Sequence, residues 1–215
     1  MGPVRQFFPY AMKPRTSYTL YFDNLRWENF DDRFTAIHYL DNTAQPVPTD
    51  AERKQGLVLF SRPWTDLVFA NTRPLPTERI SSLDLFATPG EYEAANLAVY
   101  ALEDLKSVKV SFRGVPATGE VLPIRYMNKR VTYSDKRYTA GMPSECERRS
   151  EVDVARDTSR RWLLDLQVNA DAQPGVYEGS VVLQRANGAQ VTLPLRLRVL
   201  PYRLQEPQDM YWGEY

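Results

Sequence analysis

Two carboxylates spaced two residues apart, Glu91 and Glu93, come nearest in this sequence to a general acid–base pair. An extended strand sets such residues about 7 Å apart, within the spacing of an inverting glycosidase pair. One strand would carry both, however, whereas catalytic carboxylates flank the scissile bond from opposite sides. A salt-bridge or surface role is therefore expected of them. Cys146 lies in SECERR, where Arg148 and Arg149 favour a thiolate while Glu145 and Glu147 oppose it. The chain's one histidine, His38, is remote in sequence, so a Cys–His couple is not expected and Cys146 reads as a plain free thiol. Asp23-Asn24 offers two oxygen donors where calcium takes about six to eight, and reads as a turn. With one cysteine and one histidine, neither a disulfide framework nor a Cys/His zinc cluster can be built. No metal and no cofactor are expected.

The stretch IRYMNKRVTYSDKRYTAG interleaves Tyr126, Tyr133 and Tyr138 with Arg125, Lys129, Arg130, Lys136 and Arg137. Such a mixture can bind single-stranded nucleic acid, stack on sugar rings, dock onto a neighbouring domain or form a solvated loop. The chain has 27 basic and 27 acidic residues, a formal charge of +0, which argues against nucleic acid and against an anionic membrane surface. The candidate glycan-binding or interface residues are thus Tyr126, Tyr133, Tyr138 and Arg130, together with Trp212 near the carboxy end.

The elements that must position these residues read as strands. Thirteen Tyr, nine Phe and four Trp, with sixteen Pro against ten Gly, favour short punctuated strands over long helices. In AQVTLPLRLRV, Val191, Leu193, Leu195, Leu197 and Val199 share one face. Pro194 within it lacks an N–H and predicts an edge strand or a bulge. VYEGSVVLQ turns Tyr177, Val181 and Leu183 inward, and Asn187-Gly188 predicts the hairpin between these two strands. RWLLDLQV aligns Trp162, Leu164, Leu166 and Val168, and the turn Gln173-Pro174-Gly175 follows, so three successive antiparallel strands are expected. LDLFA, NLAVYAL and SVKVSF read as further strands, the last with Val108, Val110 and Phe112 on one face. Helix signals are confined to a capping box at Thr49 and Glu52, closed by Gly56, and to a turn near Thr77. The fold expected is all-β, a mostly antiparallel β-sandwich with one or two short helices.

Both ends read as belonging to other modules. SYTLYFDNLRW is a good strand, but a charged break, ENFDDR, follows it, and MYWGEY reads as a first strand after the boundary LQEPQD. The expected division is residues 1–28 as tail strands of an upstream jelly-roll-like module, 29–55 as linker and short helix, 56–206 as the sandwich, and 207–215 as the start of a further domain. No apolar run is long enough to span a bilayer. MGPVRQFFPY has neither the h-region nor the cleavage site of a signal peptide. The address of a longer parent, secreted or periplasmic in this reading, stays open.

Some of these residues resemble a known family. LFATPGEYEAANLAVYALEDLKSVKVSF and RRWLLDLQVNADAQPGVYEGSVVLQ are similar to the amino-terminal β-sandwich that precedes the catalytic barrel in glycoside hydrolase family 123-like proteins. The shared features are Gly90-Glu91 entering a strand, Trp162 leading another, a hairpin over Asp171 to Gly179, and the ending Leu200-Pro201-Tyr202-Arg203-Leu204. The resemblance covers residues 56–204. YTLYFDNLRWE further resembles the last strand of a galactose-binding-like jelly roll, and MYWGEY the opening strand of the barrel. The resemblance implies an accessory domain without catalytic residues, because the family's adjacent Asp and Glu, assisted by the substrate's acetamido group, belong to the barrel. The implied partner is that barrel domain of the parent polypeptide. A carbohydrate-binding module using exposed Tyr or Trp, and a structural or assembly protein with no sugar ligand, are the alternatives.

Overall fold

The structure, a computed structural model, describes residues 43–127, 131–133, 136–138 and 142–204. Its first element is set by capping. The Thr49 hydroxyl accepts from the Glu52 amide at 3.2 Å, and the Glu52 carboxylate accepts from the Thr49 amide at 2.6 Å. This reciprocal box starts helix α1 (Asp50–Gln55), and Gly56 stops it in the left-handed conformation at φ 72°. The second expected turn is a 3-10 helix, Pro76–Glu78.

Twelve strands follow among the described residues: β1 (Leu57–Phe60), β2 (Leu83–Ala87), β3 (Tyr92–Ala101), β4 (Leu105–Arg113), β5 (Ala117–Met127), β6 (Val131–Tyr133), β7 (Lys136–Tyr138), β8 (Met142–Cys146), β9 (Val152–Val154), β10 (Ser159–Val168), β11 (Gly175–Gln184) and β12 (Gln190–Val199). One five-stranded sheet, sheet A, runs β1-β3-β10-β5-β8. The other, sheet B, runs β2-β12-β11-β4-β9, and β6 and β7 form a separate ribbon. The pairs are antiparallel apart from β12 with β2. The chain is an all-β sandwich.

The core follows the alternation in the sequence. Val191, Leu193, Leu195, Leu197 and Val199 are all buried, as are Trp162, Leu164, Leu166 and Val168. Trp162, Leu164 and Leu166 of sheet A pack with Val181, Leu183, Leu193 and Leu195 of sheet B in one inter-sheet cluster. A non-polar layer of this kind supplies the main drive for folding. Asn187-Gly188 forms the turn between β11 and β12, with Gly188 at φ 81°.

Two expectations need correction. Pro194 does not mark an edge strand, because β12 lies between β2 and β11. The parallel partner β2 pairs only from Leu195 to Val199. Pro194 stands one residue outside that stretch, so its missing N–H interrupts no pairing on that flank. Likewise, the segment from Asp171 to Gly179 is not a hairpin. β10 pairs with β3 and β5 in sheet A, whereas β11 pairs with β12 and β4 in sheet B. The turn at Gln173-Pro174-Gly175 therefore carries the chain from one sheet to the other.

The outer face of sheet A is covered too. Val58, Phe60, Ala98 and Tyr100 form a second apolar cluster with Val68 from the connection between β1 and β2. The outward residues of β10 pin that connection down. Arg161, 4% exposed, donates to the carbonyls of Asp66 at 2.9 Å, Arg62 at 2.8 Å and Pro63 at 3.1 Å, and to Asn96 Oδ1 at 3.3 Å. Its guanidinium also lies 4.4 Å from the centroid of the Trp64 ring. Two residues earlier, the Ser159 amide donates to the Ala70 carbonyl and its hydroxyl to the Thr72 carbonyl, each at 2.7 Å. The Arg62–Glu78 pair, at 2.7 and 3.1 Å, ties the start of the connection to its end.

In sheet A, close approach of β5 to β10 demands a glycine. Gly119 sits at φ 149°, opposite Leu166, and a Cβ there would fall 1.9 Å from the Asp165 carbonyl oxygen. Only glycine lets β5 lie this close to β10. Burial ranks the two best-described tryptophans. Trp162 is 2% exposed and Trp64 is 43% exposed. Trp162→Ala is expected to cost about 3–5 kcal/mol, and Trp64→Ala about 1 kcal/mol, since the latter loses chiefly a partly exposed cation–π contact. Denaturant midpoints for the two variants measure this difference, and equal losses would contradict the assigned faces.

Candidate functional site

Antiparallel pairing of β5 with β8 brings the basic, aromatic stretch of the sequence against SECERR. Ile124 lies opposite Cys146 and Tyr126 opposite Pro143, with a register shift between the two pairs. This irregularity re-aims the side chains at the end of the sheet. The result is a cleft of about 620 Å³, lined by Arg125, Tyr126, Glu145, Cys146, Glu147, Arg148, Arg149 and Arg160. Four guanidiniums thus share it with two carboxylates.

The charges are unevenly matched. Arg125 donates to Glu145 at 2.8 Å and lies 3.9 Å from Glu147. Arg160, at the start of β10, donates to the Ile124 carbonyl at 2.6 Å, and its guanidinium stands 4.9 Å from the Tyr126 ring centroid. Burial lowers its pKa, and the like charge of Arg149 acts in the same direction, against the pull of Tyr126 and Glu147. Arg148 and Arg149 are exposed and form no ion pair with the described residues.

Tyr126 is the buried member of the group. Its hydroxyl is shut off from solvent and makes no well-formed hydrogen bond, although the Arg161 backbone N–H lies close enough to favour its charged form. Burial pushes the phenol well above its ordinary value, with Arg160 and Arg161 pulling weakly the other way. A buried hydroxyl without a partner costs about 1–3 kcal/mol.

Of the residues expected to touch a glycan or a partner, Tyr126 alone has a described side chain in this cleft. Tyr133 and Tyr138 belong to the β6–β7 ribbon, opposite Lys136 and Val131 respectively, and their side chains lie outside the described residues. Arg130 and Trp212 lie outside the described residues, as do His38, Asp23 and Asn24. Arg160 was not anticipated. The signal available for it was the second arginine doublet, Arg160-Arg161, placed directly before the Trp-led strand.

The other chemistry weighed above resolves into structural roles. The Glu91 carboxylate accepts from the Thr88 amide at 2.7 Å, closing the turn before β3. Burial, and then the neighbouring Glu91, raise the pKa of Glu93, which stands at the start of β3 just after the turn that holds Glu91. Cys146 is an exposed free thiol whose pKa is raised by desolvation and by Asp165, which makes it a poor nucleophile. No group of three or more His, Cys, Asp or Glu that could hold a metal occurs among the described residues.

Tyr126 yields a test of this geometry. Tyr126→Phe keeps the ring beneath Arg160 and removes the orphan hydroxyl, so stability should stay level or rise by about 1 kcal/mol. Its pH dependence has a defined sign. The phenol ionises near pH 10 in the unfolded chain and higher in the folded one. Its contribution is therefore complete below about pH 10 and is lost as the pH rises toward the folded value. Thermal melts through the alkaline range should fall less steeply for Tyr126→Phe than for the parent chain. A Phe variant that is clearly less stable at neutral pH would contradict the unpartnered hydroxyl.

No protein-family model matches the chain, and no curated protein matches it. Among solved structures it is similar to a family 123 glycoside hydrolase from Clostridium perfringens, described for its hydrolysis of glycolipid glycans. The TM-score is 0.51 at 13% identity, over 68% of this chain and 27% of that one. Two further likenesses are too weak to carry an argument. They are to the sporulation control protein Spo0M of Bacillus subtilis, with a TM-score of 0.32 at 13% identity over 54% of this chain and 46% of that one, and to a PapD-like domain of human CEP192, with 0.33 at 10% identity over 76% and 97%. At such identities likeness concerns the fold alone. What this chain shares with the hydrolase is a β-rich architecture matching about a quarter of that enzyme's length.

Proposed function

We propose that this chain is a non-catalytic accessory β-sandwich of a larger carbohydrate-active, glycoside hydrolase-like protein. In this reading it corresponds to the amino-terminal sandwich of the family 123-like proteins and supports a catalytic barrel carried elsewhere in the parent polypeptide. The observation that carries the reading is the fold likeness to the Clostridium perfringens hydrolase, which spans 68% of this chain but 27% of the enzyme. The arrangement of acids supports the non-catalytic part. Glycoside hydrolysis needs two carboxyl groups on opposite sides of a bond. Glu91 caps a turn, and Glu145 and Glu147, two residues apart on one segment of the chain, both face Arg125.

A second reading, a carbohydrate-binding module, is favoured by one specific feature, the polar cleft around Tyr126. Its volume lies within the usual range for small-ligand sites. The two readings are compatible, since an accessory domain can also hold glycan near a barrel.

The purified chain is expected to release no phenol from aryl glycosides, N-acetylhexosaminides included, above the uncatalysed blank. Turnover that disappears in Glu91→Gln or Glu145→Gln would overturn the accessory reading. Co-expression with a barrel domain from the same parent is expected to give a complex that survives gel filtration, and separate elution would count against the supporting role.

A further inference from the structure

The cleft between β5 and β8 holds more positive charge than its own carboxylates answer. Glu145 and Glu147 both face Arg125. Arg160 has a carbonyl, an aromatic ring and the attraction of Glu147, and Arg148 and Arg149 stand exposed without an ion pair among the described residues. Arg149 repels Arg160, although Glu147 attracts it more strongly. A bound anion would relieve that repulsion. The Tyr126 ring lines the same cleft beside Arg160, while its hydroxyl is shut off from solvent.

We infer that this cleft binds an oxyanion, a carboxylate or sulfate group, carried by a ligand of saccharide size. The planar guanidinium presents its N–H groups as a fork that matches both anions in bidentate fashion. Arg148 and Arg149 supply the two free forks, and Arg160 closes the inner end against the Tyr126 ring. The concave shape and the volume of about 620 Å³ suit one or two sugar rings better than the flat surface of a protein partner. The saccharide half of the inference rests on the carbohydrate-binding reading above, while the charge half rests on the arginines alone.

The test is calorimetric titration of the full chain with sodium sulfate, with glucuronate, and with an N-acetylhexosamine disaccharide in sulfated and unsulfated forms. Glucuronate and the sulfated disaccharide should bind. Arg148→Ala/Arg149→Ala should weaken both by about tenfold or more, as expected for loss of charge-assisted hydrogen bonds. Affinity should fall as sodium chloride is raised. Arg113→Ala, on the outer face of the other sheet, should change nothing, and unaltered melts of the double variant would confirm that the fold is intact. If both disaccharides bind equally, or the double variant binds as the parent does, the oxyanion site is overturned while the carbohydrate reading stands. If sodium sulfate binds as tightly as the sulfated disaccharide, the site takes a free ion and its saccharide half fails. If no probe binds, or an oligoglutamate peptide alone does, the inference falls, and the accessory-domain reading is untouched.

Discussion

A guanidinium buried without a carboxylate is the constraint on which the arrangement of sheet A depends. Arg161 is almost wholly enclosed, and its donors end on three backbone carbonyls and one side-chain amide. Taking a charge out of water is expensive unless each N–H finds an acceptor. The connection between β1 and β2 must therefore pass where the carbonyls of Arg62, Pro63 and Asp66 can meet this side chain. Charge-assisted hydrogen bonds contribute about 1.5–3 kcal/mol each, more than neutral ones. They decide the path of a loop that its own sequence, rich in polar residues and proline, leaves loosely specified.

The consequence reaches the candidate site because three consecutive residues of β10 point into three environments. Arg160 borders the cleft, Arg161 holds the covering connection, and Trp162 fills the inter-sheet core. β10 is also the middle strand of its sheet, with β3 on one side and β5 on the other. Gly119 fixes the closeness of β5, and β5 in turn brings Arg125 and Tyr126 to the cleft. The inner part of the site is thus built from strand ends set by the core, while Glu147, Arg148 and Arg149 follow in the irregular segment after β8. Preorganisation of this kind lowers the ordering cost of binding.

Much of the sandwich was legible because side-chain alternation reports burial directly. The five inward residues of β12, the four of β10 and the Thr49–Glu52 box all follow from local pattern. What local pattern does not encode is partnership. Trp162 and Val181 both read as inward-facing, yet nothing in RWLLDLQV or VYEGSVVLQ says that the strands belong to opposite sheets. Pro194 misled for a similar reason, since its effect depends on how far a neighbour distant in sequence extends. Arg161 escaped notice because an outward arginine on an alternating strand ordinarily meets water, and only the overlying connection makes it buried. The cleft was half visible. Tyr126 stood out in its basic stretch, whereas Arg125, Arg148, Arg149 and Arg160 become neighbours only through the pairing of β5 with β8 and β10.

The measurement that bears most directly on this account is the stability of Arg161→Lys, read together with limited chymotrypsin cleavage. Lysine keeps the charge but cannot present a planar fork to carbonyls spread over Arg62, Pro63 and Asp66. A loss of about 3 kcal/mol is predicted, from at least two forfeited charge-assisted hydrogen bonds, with accelerated chymotrypsin cleavage after Trp64 in the freed connection. A lysine variant that melts with the parent chain and resists chymotrypsin equally would contradict it.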